Sequence, residues 1–486
     1  MPTRPTSSID ESAETAASID VPLAVDLDGT LVRSDLSIES TLEFVRRNPL
    51  NLVSCGAWLL RGKAALKHEV AARVGMDVAR LPYDDRVVDW LRGSARRRVL
   101  CTASDREIAE AVAAHIGGFD TVLASDGERN LAGANKARTL VERYGERGFD
   151  YAGNARPDLE VWKHARRAIV VNASAGLAAE AAAVSEVERI LPREDGGLRV
   201  WFKALRPHQW LKNLLVFLPM LAAHELFQPG ALVLSLLAFL SFGLCASGVY
   251  VLNDLLDLEA DRNHPRKRLR PFACGALPLT SALIAAPLLA LAAFALAWRI
   301  DPLFALVLLT YYAITLAYSF GLKRIAMLDT VALAMLYTTR IVAGAAAVRV
   351  PLSFWLLAFS MFLFMSLALV KRYIELHSLL ERGGSKTDGR GYDVDDLSLI
   401  QSLGGASGYI AVLVLALYIN SSASEALYRH PQVLWLLCPL LLYWISRVWL
   451  KAHRGLMHDD PVVFALTDYV SRIVLALCAA VVAAAI

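Results

Sequence analysis

The sequence predicts two parts of different fold class: an N-terminal α/β unit and a C-terminal all-α polytopic membrane bundle of about nine transmembrane helices. Three observations carry that expectation. Apolar residues make up 56% of the 486, and mean hydropathy is +0.42. They are unevenly placed: up to about Leu198 they mix with Arg, Asp and Glu, whereas beyond Trp201 they gather in blocks of roughly twenty, the length a helix needs to cross hydrocarbon. Thirdly, the stretch Pro22–Val25 reads as a buried strand that runs into Asp26-Leu27-Asp28-Gly29-Thr30, a pattern suited to the carboxyl edge of a parallel sheet.

Residues 1–20 are polar and acidic with no apolar core, so they read as a disordered tail and not as a signal peptide. Residues 21–198 form the expected α/β domain. After the first strand comes a helical stretch from about Ile38 to Arg92. "RRRVLCTAS" then gives a second strand ending in Thr102 and Ser104, and "GANKARTL" places Lys136 near a helix start. "FDYAGNARPDLEVW" is a third strand, ending in Asn154 and Asp158.

Residues 199–486 contain the apolar blocks, centred near Phe217, Leu240, Leu289, Leu309, Leu333, Phe362, Val414, Leu440 and Val474. Basic residues crowd 201–212, 262–270, 323–324, 371–390 and 447–454, and the intervening loops are poor in them. The positive-inside rule then puts these loops and the N-terminal domain on the cytoplasmic side of a bacterial-type inner (plasma) membrane. An odd number of spans would leave the C-terminus on the other side. A net charge of +3 gives no sign of a nucleic-acid partner. The six cysteines form no C-x-x-C pair and suggest neither a zinc site nor a disulfide framework.

The paired aspartates of the first strand suit phosphoryl chemistry. One carboxylate can attack phosphorus while the other, two residues on, shuttles the proton, with magnesium neutralising the phosphate. Thr102 and Lys136 are candidates for the phosphoryl oxygens, and Asn154 and Asp158 for completing a magnesium site with Asp26 and Asp28. These four segments, in this order, resemble the haloacid dehalogenase (HAD) phosphatase superfamily over about Val21 to Asn172. The resemblance implies a Rossmann-like domain with Asp26 as nucleophile, Asp28 as acid/base, and the helical stretch as the cap that selects the substrate. One departure is visible: the family's last motif usually opens with Gly-Asp, and here it is Gly153-Asn154.

The membrane half carries "VLNDLLDLEADRNHPRKRLRP" at the end of its second block. On one helix, steps of three and four would place Asp254, Asp257 and Asp261 on one face, with Asn253 beside them. Three carboxylates and an amide on one stripe suit magnesium and a diphosphate leaving group. Arg262 and Lys267, in the basic run that follows, are candidate substrate contacts or ordinary positive-inside flanking. Charges here must face water, a cavity or a ligand.

This motif, the spans and the following "RP" resemble the UbiA superfamily of intramembrane prenyltransferases over roughly Trp201 to Ile486. Ordinary members carry a second acidic motif after the sixth span, where this sequence reads "LALVKRYIELHSLLERGGSKTDGRGYDVDDLSLIQ". "LRPHQWLKNLLVF", "KRYIEL" and "RGY" are similar to the decaprenyl-phosphate phosphoribosyltransferase branch. That similarity implies 5-phosphoribosyl diphosphate (PRPP) as donor and a polyprenyl phosphate as acceptor within the membrane lipid. Lys371, Arg372, Glu375, Arg390 and Tyr392 would then serve the donor, and Lys212, Lys323 and Arg340 the lipid phosphate. Asp393, Asp395 and Asp396 read as a solvated loop or a displaced second metal site, and Asp459 and Asp460 have no assigned chemistry.

The fusion suggests transfer in the membrane followed by removal of the 5-phosphate, giving polyprenyl-phosphoryl ribose for cell-envelope glycans. One alternative is a prenyltransferase using prenyl diphosphate on an aromatic or other acceptor, with an inactive or regulatory HAD domain. Another is a lipid-binding scaffold with both sites vestigial. The sequence leaves a homo-oligomer open.

Overall fold

The computed structural model describes residues 21–193, 196–385, 390–457 and 460–486. The expected tail and Asp459 lie outside them. Two compact units emerge: residues 21–205 with Val251–Ala285, and Arg206–Tyr250 with Ala286–Ile486. The segment carrying the acidic run therefore packs with the N-terminal unit.

The N-terminal unit is built on six parallel strands: β1 (Leu23–Val25), β2 (Arg98–Asp105), β3 (Thr121–Ser125), β4 (Asp150–Gly153), β5 (Arg167–Val171) and β6 (Glu186–Leu191). Their order is β3-β2-β1-β4-β5-β6, so the winding reverses between β1 and β4, where doubly wound sheets open a ligand crevice. Side-chain alternation sorts the strands onto two cores. Leu23, Val25, Leu100, Ala152, Ile169 and Val171 face one, and Ala24, Val99, Cys101, Tyr151, Ala168 and Val170 the other.

The expected helical stretch is α1 (Leu36–Arg47), α2 (Asn51–Arg61), α3 (Lys63–Ala71) and α4 (Asp85–Gly93); α5 (Arg106–Ile116) and α6 (Ala134–Tyr144) follow on the sheet. Aspartates start several of them by accepting a free backbone N–H. Asp35 Oδ1 takes Ile38 N at 3.0 Å, and Asp105 Oδ1 takes Glu107 N at 3.0 Å.

Asp84, fully buried at the start of α4, ties this unit together. It accepts from Arg86 Nη2 at 2.7 Å, Arg33 Nη2 at 3.2 Å and Asn172 Nδ2 at 3.0 Å, and Asn172 also donates to Gly29 O at 3.1 Å. Burial would raise its carboxyl, but the bonds from Arg86, Arg33 and Asn172 more than offset that and hold it well below the usual carboxylate range. Its stabilisation is therefore present above an unfolded pKa of about 4 and is lost as pH falls through the folded value. Asp84→Ala removes the buried carboxylate that Arg33, Arg86 and Asn172 share and is expected to cost about 3–5 kcal/mol. The check is the unfolding temperature of the full chain, followed by near-UV circular dichroism.

The second unit is all-α. Among the described residues, seven helical segments are long and apolar enough to cross a membrane: Pro229–Leu256, Leu279–Ile300, Pro302–Phe320, Leu328–Val348, Phe354–Glu381, Val394–Ile419 and Pro431–His453, the first two shared with the N-terminal unit. An eighth is counted if Pro461–Thr467 and Tyr469–Ala485, bent by 78°, form one span. This corrects the expectation of about nine. The block near Phe217 breaks into a 3-10 run, Pro207–Phe217, and a five-residue helix, Leu218–Ala222, which together are no spanning helix. Pro219 cannot donate the N–H that an unbroken helix there would need. The parity argument for the C-terminus loses its basis with the count.

Candidate functional site

At the crevice between β1 and β4, the turn after β1 is held open by Gly29, whose φ of +76° is costly for other residues. A side chain there would collide with Asn154 Nδ2, so Asn154 lies against the Asp26–Thr30 turn. Asp26 Oδ1 accepts from Lys136 Nζ at 2.7 Å, and Lys136, buried on α6, also donates to Tyr151 Oη at 2.8 Å. Asp28 accepts from Leu36 N at 2.8 Å and Ser104 Oγ at 2.5 Å. Thr102, fully buried, accepts from Ser104 N at 3.0 Å.

Asp158 turns out to be an orienting group. Its oxygens take Asn154 N at 3.0 Å, Ala155 N at 2.9 Å and Tyr151 Oη at 2.7 Å, which sets the loop after β4. Burial raises the Asp26 carboxyl to about 6 against the pull of Lys136. Burial, then the Asp35 and Asp26 carboxylates, raise Asp28 to about 7 against the Ser104 bond. Two neighbouring carboxyls with different proton affinities are what acid/base work requires.

Asp26, Asp28, Lys136, Asn154 and Asp158 line a cavity of about 590 Å³, whereas the expected phosphate contact Thr102 is buried behind it and is not part of its wall. Its wall includes Lys67 of α3, which sequence reasoning missed; Lys67 Nζ donates to Ala103 O at 2.6 Å. Part of the wall is the turn Cys274–Thr280, which follows the acidic run. Gly275, at φ +73°, presses against Arg33 so closely that a Cβ would lie 2.4 Å from Arg33 O.

The acidic run does not lie on one helix. The helix ends at Leu256, Asp257 occupies the break, and Leu258–Asn263 begins a new one. Asp254 and Asp261, both buried, nonetheless converge: Arg270 Nη1 donates to Asp254 Oδ1 at 3.2 Å and Asp261 Oδ2 at 2.6 Å. Two hard oxygen donors around one cationic group fit a divalent ion of the magnesium type, and Asp257 is half-buried beside them in sequence. Among the described residues, no three His, Cys, Asp or Glu side chains already stand at metal-ligand geometry. Asn253 lies on the last turn of the helix.

Arg262 has a different task from the expected substrate contact. It forms a buried ion pair with Glu39 at 2.6 Å and donates through Nε to Ala273 O at 3.0 Å, so it pins the segment to α1. Lys267 sits on an exposed turn.

In the second unit the expected cations divide into two clusters, one buried arginine and a lysine on a turn. Lys212 and Lys371 meet at Asp460 Oδ2, at 2.7 and 3.4 Å, and Tyr337 Oη donates to Asp460 Oδ1 at 3.3 Å. Asp460 also caps Pro461–Thr467 through Val462 N at 3.1 Å. Arg372 lies in the other cluster, fully buried. It donates to Asp329 Oδ2 at 2.5 Å and Tyr318 Oη at 3.1 Å, and pairs with Glu375, which also takes Arg390. Tyr392 Oη donates to Asp329 and accepts from Met327 N at 2.8 Å.

Arg372 and Tyr392 thus converge on a buried carboxylate, Asp329, that sequence reasoning missed, with Glu375 bridging Arg372 and Arg390. A lone acid in an apolar helix was the available signal. Arg340 is buried with Asn213 at 3.0 Å and Tyr311 at 3.0 Å. Lys323 sits on the turn Leu322–Arg324. Asp396 accepts Asp393 N at 3.0 Å and closes the turn before Leu397–Ile419.

A multi-pass helical membrane protein with an appended doubly wound α/β unit and clustered acids is the class so defined. The chain belongs to the UbiA prenyltransferase family, whose model matches residues 214–467. It is 36% identical over 465 residues to the y4nM protein of Sinorhizobium fredii, an alignment covering 94% of this chain and 90% of that one and so running through both units. Nodulation protein NoeC of Azorhizobium caulinodans is 40% identical over 273 residues, 55% of this chain and 86% of that one. Decaprenyl-phosphate phosphoribosyltransferase of Mycobacterium tuberculosis is 43% identical over 189 residues, 38% of this chain and 62% of that enzyme. Among solved structures, a UbiA homolog from Archaeoglobus fulgidus aligns with a TM-score of 0.46 at 16% identity, over 58% of this chain and 99% of that one.

Proposed function

We propose that the chain transfers the 5-phosphoribosyl group of PRPP to a polyprenyl phosphate, and that its N-terminal unit then removes the 5-phosphate. The observation that carries the transfer is the meeting of Asp254 and Asp261 on one cationic point, in a chain 43% identical over 189 residues to a decaprenyl-phosphate phosphoribosyltransferase. An oxygen of the lipid phosphate attacks ribose C1 as the bond from C1 to the diphosphate oxygen breaks and diphosphate leaves. Asp254, Asp261 and Asp257 would hold magnesium, which would neutralise charge on the leaving diphosphate. The nucleophile is already an anion and needs no strong base, so positioning dominates. Within the second unit, Lys212 and Lys371 are candidate phosphate contacts, with Asp460 as their counter-ion.

In the N-terminal unit, which we read as HAD-like and cytoplasmic, Asp26 attacks phosphorus and Asp28 protonates the departing ribose oxygen. Asp28 then takes a proton from the water that cleaves the aspartyl phosphate. Lys136 holds the phosphoryl oxygens. Asn154 brings a neutral oxygen where the family has a carboxylate, so Asp26 and Asp28 would hold magnesium there with less help.

The deciding assay gives the purified chain magnesium and radiolabelled PRPP, with and without polyprenyl phosphate. Labelled lipid is expected only with both. No labelled lipid, alongside turnover of prenyl diphosphate, would sink the reading in favour of prenyl transfer.

The hydrolytic step has its own signature. Its rate is expected to rise through about pH 6 as Asp26 ionises and to fall above about pH 7 as Asp28 loses its proton. The Ser104 bond stabilises the Asp28 carboxylate, so Ser104→Ala should move the alkaline limb to higher pH. An unmoved limb takes the acid role away from Asp28.

A further inference from the structure

Helix α2 carries apolar residues on both of its faces. Its inner face is ordinary: Cys55 is buried with Phe44, Val70 and Val74, and Trp58 packs on Phe44 at 5.4 Å under the Arg73 guanidinium at 4.9 Å. The outer face of a helix on a water-facing unit should be polar. Here it holds Leu52, Val53, Leu59 and Leu60, exposed by 65, 76, 51 and 92%, with Leu50 at 75% just before the helix. Positions 52, 53, 59 and 60 form one stripe two turns long, and Gly56 between them adds no side chain.

The charge around this stripe has one sign. Apart from Lys67, which turns to the cavity, residues 42–73 hold five basic residues, Arg46, Arg47, Arg61, Lys63 and Arg73, against two acidic, Glu43 and Glu69. Glu43 is paired with Arg46 and Arg47, and Glu69 with Arg61 and Arg73, so the rim keeps a positive excess. An apolar stripe inside a basic rim is the pattern of a helix lying in a membrane interface. The same chain crosses the bilayer elsewhere, so that partner is always at hand.

We propose that α2 is a membrane foot. Leu50, Leu52, Val53, Leu59 and Leu60 enter the boundary between headgroups and acyl chains of an anionic bilayer, and the flanking arginines meet lipid phosphates. One residue, Gly62, separates α2 from α3, and α3 carries Lys67 to the wall of the Asp26 and Asp28 cavity. The foot therefore holds the Lys67 helix among lipid headgroups, where a phosphate ester carried on a lipid is found. That consequence rests on the proposed hydrolysis; the docking itself does not.

The test uses the full chain with Leu60→Cys, one copy per nanodisc of phosphatidylglycerol and phosphatidylcholine. A charged, membrane-impermeant maleimide labels it, and peptide mass spectrometry reads the site, so the native cysteines do not interfere. Glu110→Cys, on the exposed face of α5, is the reference. Leu60→Cys is expected to react about tenfold more slowly or less than the reference, and adding Leu52→Glu and Leu59→Glu should restore its rate. Equal rates overturn the proposal. So does protection found only when copies are crowded, accompanied by crosslinks between Leu60→Cys thiols, which would assign the face to a second copy. No turnover enters the readout, so failed hydrolysis and a failed foot give different results.

Discussion

Asp254→Asn is expected to lower phosphoribosyl transfer by about 10²–10³-fold, with little effect on PRPP-independent hydrolysis at Asp26. The reason is local. Asp254 and Asp261 are buried, lie seven residues apart across a broken helix, and still meet at one guanidinium nitrogen of Arg270. A neutral amide keeps the shape but removes one of the two charges that make the point attractive to a divalent cation, and the departing diphosphate loses its counter-charge. Asp261→Asn should cost as much, and the double variant little more, because groups that act as a unit are not additive. The measurement is labelled lipid formed per minute across a magnesium titration. A fall that saturating magnesium repairs marks lost affinity, whereas one that persists marks a lost stabiliser of the leaving group. Undiminished transfer in both variants would remove the acidic run from the chemistry.

How much of this was legible in advance follows from the sequence distance between partners. The Asp26–Thr30 turn is contiguous and ends a strand, so its place at the β1/β4 crevice could be read directly, as could the nearness of Lys136 to Asp26 from the order of the segments. The spacing of Asp254, Asp257 and Asp261 was readable too. What it could not tell is that the helix stops at Leu256 and that Arg270 bridges two of the acids, because both depend on how the following turn packs. Arg262 illustrates the limit best. Its partner Glu39 lies 223 residues away, so a run of basic residues gave no sign that one of them is an internal strut. Arg372 similarly needed Asp329, 43 residues off, before it could be seen as a buried ion pair. The membrane count failed where apolar content alone cannot distinguish a spanning helix from one interrupted at Pro219.

Asp26→Asn should abolish hydrolysis, by about 10⁴-fold or more, and cause the 5-phosphorylated lipid to accumulate while transfer continues. The substitution removes the nucleophile, but it also removes the charge nearest Lys136, which is 3% exposed and whose next carboxylate, Asp158, is 3.8 Å away. Breaking a buried pair costs about 3–5 kcal/mol, so a failure to fold could imitate a failure of chemistry. Asp28→Asn separates the two. It leaves the Lys136 pair intact and alters a carboxyl bonded to Ser104 and Leu36, yet it should lower hydrolysis by about 10²–10⁴-fold through loss of the proton shuttle and of one charged magnesium ligand. Mass spectrometry of the lipid product reads both variants in the same reaction. If each accumulates the 5-phosphorylated lipid while transfer is unimpaired, the two aspartates act in sequence after the membrane step. If Asp28→Asn leaves the product dephosphorylated, the cavity at the β1/β4 crevice serves a different substrate, and the 5-phosphate stays on the lipid or leaves by other means.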